Sequence, residues 1–206
     1  MATILVITAS PRGDRSVYRT LTSLFADLWA QKHPEDTILL RDVGHHPVPH
    51  VTEPWIVGSF STAEEQTPES KAAISVSDQL VDEFLSADRY IFGVPRFNFC
   101  VPSTFKAYID QIIRPGRTFA MGPNGFEGLV KGKKALFITT SGGSYGLGSP
   151  TAAFNFLEPY LRAVFGFMGL VDLHFVSAEN LNRGEDAARH AREMAENELR
   201  ELAQTW

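Results

Sequence analysis

Cysteine is almost missing from this sequence, since Cys100 is the only one among 206 residues. A single cysteine excludes an intramolecular disulfide and a cysteine cluster for zinc, and we expect a reduced, cytoplasmic setting. No apolar run reaches the roughly 18 residues that a membrane span requires, so we expect no membrane partner. The N-terminus passes directly into an apolar stretch without a basic region before it, which predicts a strand rather than a signal peptide.

Positive charge is also scarce. The chain carries 19 Lys and Arg against 24 Asp and Glu, a net charge of -5, whereas a nucleic-acid binder presents a basic face. We therefore expect no nucleic-acid partner. Hydrophobic residues make up 44% of the chain, which predicts a globular protein. Because no repeat, low-complexity tract or linker is present, we expect one domain over residues 1–206.

Apolar segments alternate with amphipathic ones along the chain. The predicted strands are Thr3–Thr8, Thr37–Asp42, Tyr90 to Pro95, Ala135–Thr140 and Leu173–Ala178. The first predicted helix begins near Ser16. The other predicted helices cover Pro68–Ser86, Pro102–Ile113, Thr151–Phe167 and Glu185–Ala203. Five β–α alternations predict an α/β fold with a five-stranded parallel sheet and helices on both faces. We expect the flavodoxin-like strand order 2-1-3-4-5.

Two stretches show no periodicity and are predicted to be loops. The first, Val43–Thr67, is polar and Pro-rich, and its Trp55, Ile56, Val57 and Phe60 are expected to pack onto a neighbour. Its three histidines, His45, His46 and His50, leave a zinc site open as an alternative. Because no carboxylate or thiolate pattern accompanies them, we expect no metal. The second stretch, Arg114–Gly125, is rich in turn residues.

The loop after the first strand is typical of an anion site. Ser10, Arg12 and Ser16 precede a helix N-terminus, where unpaired N–H groups and the helix dipole favour a phosphate. The loop contains neither G-x-x-x-x-G-K-[ST] nor G-x-G-x-x-G, which excludes a Walker A motif and a dinucleotide fingerprint. The alternative is that Ser16 is only an N-cap.

Two further loops follow central strands. Pro95 ends the third strand, and Arg96-Phe97-Asn98-Phe99 then offers flat apolar surface and an amide, which suit a planar heteroaromatic ring. The alternative is an ordinary strand–helix connection. Gly142-Gly143, after the fourth strand, permits close approach of backbone to ligand or simply makes a turn. In the expected strand order the three loops are adjacent, and together they predict a site for flavin mononucleotide (FMN).

At these motifs the chain resembles the FMN-dependent NADH-azoreductases, also described as NAD(P)H:quinone oxidoreductases, over nearly its whole length. The resemblance is carried by Val94–Phe99, Lys106–Asp110, Gly116–Phe119, Gly125–Val130 and Gly132–Ala135. It implies cofactor-binding residues in three loops: Ser10, Ser16, Val17 and Tyr18; Arg96, Phe97, Asn98 and Phe99; and Thr140, Ser141, Gly142 and Gly143. The residue types of the loops themselves add Arg12 and Pro95 to the expected cofactor-binding residues.

Three residues depart from the family pattern. Tyr18 stands where the family usually has a second serine, Arg96 where methionine is common, and Ser141 where an arginine is frequent before Gly-Gly. The departure at Arg96 places a cation in the loop that is expected to contact the flavin ring. We expect this cation to stabilise a reduced, anionic flavin.

The resemblance also implies the activity and the assembly. We expect an enzyme with tightly bound FMN that takes electrons from NADH or NADPH and reduces quinones or azo compounds in a ping-pong reaction. Phe119 and Tyr145 are expected to line the acceptor pocket, and no side chain is expected to be an essential acid, base or nucleophile. A homodimer is expected, partly because Trp55, Phe60 and Phe119 read as exposed apolar surface. A flavodoxin-type electron carrier and a flavin-free signalling domain are the alternatives.

Overall fold

The structure, a computed structural model, describes residues 1–13, 16–62, 64–123 and 125–206. Asp14 and Arg15 of the predicted phosphate loop, and Ala63 and Asn124 of the other predicted loops, lie outside the described residues. In chain order the described strands are β1 (Thr3–Thr8), β2 (Thr37–Asp42), β3 (Arg89–Pro95), β4 (Phe119–Gly122), β5 (Gly125–Gly128), β6 (Lys134–Thr140) and β7 (Asp172–Ala178).

The main sheet is parallel and has the order β2-β1-β3-β6-β7. This is the predicted order 2-1-3-4-5, and the strand bounds agree with the prediction to within one residue. The strands form because their side chains are apolar on both faces, as expected for a sheet covered on both sides. The flavodoxin-like fold is therefore confirmed.

The helices cover both faces of this sheet. They are α1 (Val17–Lys32), α2 (Glu53–Phe60), α3 (Pro68–Ser86), α4 (Ser103–Ile112), α5 (Leu157–Phe167) and α6 (Glu185–Thr205). Helices α1 and α6 pack on one face, and α3, α4 and α5 pack on the other. The second face has a core of aromatic rings, in which Phe92 stacks on Phe137 with centroids 4.7 Å apart and Phe165 packs 4.8 Å from Phe92. Among the described residues, no helix combines the length and apolar composition needed to cross a bilayer.

Three expectations about secondary structure are wrong. The segment Val43–Thr67 contains helix α2, which Thr52 caps by accepting a hydrogen bond from the N–H of Trp55. Arg114–Gly125 was predicted as turns alone, but β4 pairs with β5 in an antiparallel hairpin. The predicted helix Thr151–Phe167 is broken into a 3₁₀ turn at Ala152–Phe154 and α5, because Asn155, with ψ of 79°, is not helical.

Helix α2 divides the apolar residues that are expected to pack onto a neighbour into a buried and an exposed group. Trp55 is buried, and its indole N–H donates to Gln111 Oε1 at 2.8 Å. Ile56, Val57 and Phe60 are exposed, with 72% of Phe60 accessible. The expectation that Trp55 is exposed apolar surface is therefore wrong, because it packs within the chain, whereas Phe60 is exposed as expected.

Candidate functional site

Three loops begin side by side at the carboxyl edge of the sheet, because β1, β3 and β6 are neighbours. The N–H of Ala9, the first residue after β1, donates to Gly93 O in β3 at 3.1 Å. The N–H of Arg96, the first residue after β3, donates to Thr140 O in β6 at 2.8 Å. The predicted cofactor residues therefore leave the sheet from adjacent points, at the position where ligands bind in open α/β sheets.

The loop after β1 is fastened to helix α1 by Tyr18. The hydroxyl oxygen of Tyr18 accepts from the N–H of Ser10 at 2.9 Å and donates to Ser10 O at 3.3 Å. The Ser10 hydroxyl in turn accepts from the N–H of Arg12 at 3.1 Å. Tyr18 is buried, whereas Arg12 is exposed. Tyr18 thus shapes the loop from beneath, while Arg12 reaches solvent.

Ser16 occupies the N-cap position of α1 but does not cap the helix with its side chain. It is 4% exposed, has extended backbone angles and makes no side-chain capping hydrogen bond. The alternative in which Ser16 serves only as a cap therefore lacks its defining hydrogen bond. Val17, the first helical residue, is partly buried against the core beneath.

Arg19 holds the same loop from the other side and was missed by sequence reasoning. Its guanidinium donates to Arg12 O and Ser10 O, both at 2.8 Å, and to Thr8 Oγ1 at 3.3 Å. Both outer nitrogens of Arg19 also lie 2.8 Å from the carboxylate of Asp42 at the end of β2. Because Arg19 engages two loop carbonyls, it fixes the path of the backbone that approaches the N-terminus of α1.

Asp42 is charged in the folded protein because of this network. Its carboxylate also accepts from the N–H of Gly44 at 3.1 Å and contacts His45 Nδ1 at 2.8 Å. Burial alone raises the pKa of Asp42, but the hydrogen bonds from Arg19 and His45 outweigh it and hold that pKa well below its usual value. The negative charge of Asp42 in turn raises the pKa of Arg19.

The loop after β3 is a tight hairpin turn. The N–H of Phe97 donates to Cys100 O at 2.9 Å, and the N–H of Cys100 donates to Phe97 O at 3.0 Å. The two central residues, Asn98 and Phe99, have φ of 45° and 75°, as a type I′ turn requires. Asparagine tolerates this conformation, but an aromatic residue there is strained. Such strain is concentrated in proteins at ligand sites, and the turn leaves Phe97, Asn98 and Phe99 exposed.

The backbone of the loop after β6 is tied to the segment that follows β7. The N–H of buried Ser141 donates to Ala178 O at 3.0 Å, and its hydroxyl donates to Gly143 O at 2.7 Å. A Cβ at Gly142 would lie 2.5 Å from Nδ2 of Asn182, whereas a Cβ at Gly143 would meet nothing closer than Tyr145 at 3.8 Å. Of these two glycines, Gly143 is therefore the one with open space beside its backbone.

Glu179, which sequence reasoning also missed, supports the next part of this loop. Its carboxylate accepts from the Ser144 hydroxyl at 2.7 Å and from the N–H of Tyr145 at 3.0 Å. Nothing in the local sequence relates Glu179 to Tyr145, because the contact depends on the pairing of β6 with β7. Tyr145 is thereby held beside Phe99, with their ring centroids 6.2 Å apart.

Phe119 lies in a different aromatic group from Tyr145. Its ring packs on Phe167 at 4.8 Å and Phe126 at 5.9 Å between centroids. No ring contact joins Phe119 to Tyr145 in the part of the chain that the structure describes. One copy of the chain therefore does not bring the two predicted acceptor residues into contact.

The other reactive side chains lie apart from one another. Cys100 is partly buried at the base of the turn after β3, and His174 on β7 contacts Asp172 at 3.1 Å. His46 and His50 are exposed. Within the described ranges, no three His, Cys, Asp or Glu side chains form a group that could hold a metal ion.

Comparison with known proteins gives consistent matches over the whole chain. Residues 2–203 match a family model described as "Flavodoxin-like fold". An FMN-dependent NADH:quinone oxidoreductase 2 of Trichormus variabilis is 55% identical, with 100% of both chains covered. One from Azotobacter vinelandii is 40% identical over 98% of this chain and 100% of its own.

Solved structures agree with the sequence relatives. An azoreductase from Bacillus anthracis has a TM-score of 0.93 at 29% identity, with 100% of both chains covered. An FMN-dependent NADH-azoreductase from Bacillus anthracis in complex with FMN has a TM-score of 0.86 at 26% identity, covering 98% of this chain and 100% of that one.

The network around Asp42 predicts a pH-dependent stability. We expect Asp42→Asn to lower the free energy of unfolding by about 1–3 kcal/mol at pH 7, as for a hydrogen bond to a charged group. Because folding lowers the pKa of Asp42, its contribution is complete above the unfolded value of about 3.9 and is lost as pH falls further. The measurement is urea unfolding at pH 7 and near pH 3, which lies below the unfolded pKa of about 3.9. Asp186→Asn, at a side chain that is 90% exposed, is the control, and an equal loss for Asp42→Asn at both pH values would contradict the assignment.

Proposed function

We propose that this chain, which belongs to the flavodoxin-like family that includes the FMN-dependent NADH:quinone oxidoreductases, binds FMN and transfers electrons from NADH or NADPH to quinones or azo compounds. The observation that carries the proposal is the convergence of three differently built loops at the carboxyl edge of β1, β3 and β6. One loop presents a helix N-terminus, the second an aromatic turn and the third open glycine backbone. Together they offer complementary surfaces for a phosphate and a flat heterocycle.

The phosphate of FMN fits the loop after β1. The first N–H groups of an α-helix have no intrahelical partner, and Ser16 does not cap those of α1 with its side chain. Arg12 adds an exposed positive charge, and Gly13 has open space where a side chain would lie. The donor chemistry of this cradle suits a dianion, so Ser10, Arg12 and Ser16 remain our proposed phosphate residues.

The ring fits between the loops that follow β3 and β6. Asn98 offers an amide with two donors and an acceptor, Phe97 and Phe99 offer flat apolar surface, and Gly143 offers a backbone that a ligand can approach. Such groups match a heterocycle edged with carbonyl oxygens and nitrogens. We assign Pro95, Thr140 and Ser141 a supporting role, because they are buried where the two loops leave the sheet.

The demands on the protein are mainly positional. The chemistry that FMN supplies when bound is acceptance of a hydride and delivery of two electrons to the acceptor. Overall, NADH and one proton convert a quinone into a hydroquinone and NAD⁺. The three loops orient the reactants, and orientation is itself a large catalytic factor. We propose that donor and acceptor occupy the same pocket in turn, and that neither Cys100 nor any histidine is an essential acid, base or nucleophile.

We further propose that the protein works as a homodimer. Ile56, Val57 and Phe60 form an exposed apolar face on α2, and exposed patches of this kind mark interaction sites. The hairpin β4–β5 adds Met121 and Phe126, which are also exposed. A second copy would cover such apolar surface and offers a means of bringing Phe119 close to an acceptor pocket.

The test of the proposed function uses the purified, FMN-saturated protein under anaerobic conditions. We expect NADH or NADPH to bleach the flavin absorbance near the visible maximum and a quinone to restore it, with steady turnover when both are present. An electron carrier would be reduced slowly by NADH and would not turn over. A protein that takes up no FMN would contradict the proposal outright.

Ser16→Asp tests the phosphate site. The variant keeps a good N-cap residue but places a negative charge against the phosphate, so we expect FMN affinity to fall by about tenfold or more, for which about 1.4 kcal/mol of repulsion suffices. Riboflavin, which lacks the phosphate, should bind both forms equally in a fluorescence titration. Ser23→Asp, on the exposed face of the same helix, is the matched control. Unchanged FMN affinity in Ser16→Asp would remove Ser16 from the site.

The dimer proposal predicts that a substitution in the exposed apolar face of α2 lowers the mass of the protein in solution. We expect a dimer by light scattering at micromolar concentration and a monomer for Phe60→Asp, because a buried unpaired carboxylate opposes association. Leu40→Asp, at an exposed leucine of β2, should leave the dimer intact. A wild-type protein that is monomeric and fully active would defeat the proposal.

A further inference from the structure

Arg96 joins three segments at the mouth of the proposed site. Its guanidinium donates to Phe99 O at 3.1 Å within its own loop and to Asn155 Oδ1 at 2.9 Å, just before α5. It also lies 4.1 Å above the ring centroid of Tyr145, in the loop after β6. These contacts fix the guanidinium in one place, which is the preorganisation that selective binding requires.

The charge of Arg96 is not neutralised by its neighbours. Its hydrogen-bond partners are a carbonyl and an amide, and among the described residues no carboxylate oxygen lies within 4.0 Å of its nitrogens. Two acidic residues whose charge acts on Arg96 are engaged by other partners. Glu179 holds Ser144 and Tyr145, and Glu158 pairs with Arg162.

The guanidinium also retains donors for a ligand. Arginine has five N–H donors, and two of them serve Phe99 and Asn155. The side chain is partly exposed, although its Nε is buried without a partner. Burial lowers the pKa of Arg96, but arginine remains charged in proteins. The site thus holds an unpaired cation with spare donors.

Flat aromatic surface lies directly beside this cation. The rings of Phe99 and Phe154 are 5.2 Å apart between centroids, and 43% of Phe99 and 48% of Phe154 are accessible. Tyr145 meets Phe99 edge-on. A planar molecule lying on this surface would place its substituents within reach of the Arg96 guanidinium.

We propose that Arg96 selects planar aromatic acceptors that carry a negative charge beside the ring, such as ionised hydroxyquinones and carboxylated or sulfonated azo compounds. The inference rests on the proposed function, because it concerns the acceptors of that same site. The selectivity comes from a charge-assisted hydrogen bond, which is stronger and shorter than a neutral one. Asn155 and Tyr145 act as positioning residues that hold the guanidinium over the site.

The test compares two acceptors of similar shape on FMN-saturated protein, 2-hydroxy-1,4-naphthoquinone, which is ionised at neutral pH, and neutral 2-methyl-1,4-naphthoquinone. For Arg96→Met we expect the ratio of KM for the anionic quinone to KM for the neutral quinone to rise by about tenfold or more. An effect of the lost cation on the flavin itself would act on both quinones and cancel in this ratio. Arg96→Lys keeps the charge but loses the planar fork. Its KM for the anionic quinone should lie between those of the wild type and Arg96→Met. Arg200→Met, on the exposed last turns of α6 at the opposite end of the sheet, controls for net charge.

A second readout does not depend on turnover. The dissociation constant of the anionic quinone for the oxidised holoenzyme, measured from the change in flavin absorbance, should also rise for Arg96→Met. Added salt should weaken this binding in the wild type more than in Arg96→Met. Equal effects of Arg96→Met on both quinones, or none on either, would overturn the selectivity. Failure of the wild type to reduce even the neutral quinone would instead overturn the proposed function.

Discussion

The site depends on one constraint, the parallel register of the three central strands. Thr8 of β1 lies beside Gly93 of β3, and Pro95 of β3 lies beside Thr140 of β6. Neighbouring parallel strands end at the same carboxyl edge of the sheet. Loops that are far apart in sequence therefore start within hydrogen-bonding distance of each other. Gly93 also has to be glycine, because a Cβ there would lie 2.6 Å from Thr22 Oγ1 and 2.7 Å from the Tyr18 ring. Helix α1 can therefore lie close to the sheet and point its N-terminus at the site.

Charge at the site is arranged in two contrasting ways. Arg19 is paired with a carboxylate and donates hydrogen bonds to backbone carbonyls, so its role is structural. Arg96 contacts neutral groups and an aromatic ring, so its charge remains available. The two residues have the same chemistry, and it is their partners that separate a structural cation from one suited to recognition.

Much of this architecture was predictable because it is local. Strand bounds follow from apolar runs, and the positions of the three loops follow from residues that end strands or begin helices, such as Pro95 and Ser16. Helix α2 was missed although Thr52 and Pro54 mark its start, because the polar, Pro-rich surroundings concealed a short helix. The roles of Arg19 and Glu179 could not be predicted from the sequence, because their partners come close only when the strands pair. The likeness of the chain to its relatives supports its fold and its family.

The turn after β3 has a consequence for how this protein can change. An aromatic residue with φ of 75° sits in a conformation that costs an L-residue about 1–2 kcal/mol and costs glycine almost nothing. Selection for heat resistance alone would thus favour glycine at Phe99 and erase the aromatic surface that the turn presents. The turn thus gives up backbone stability for the ring surface that Phe99 exposes beside Phe154 and Tyr145.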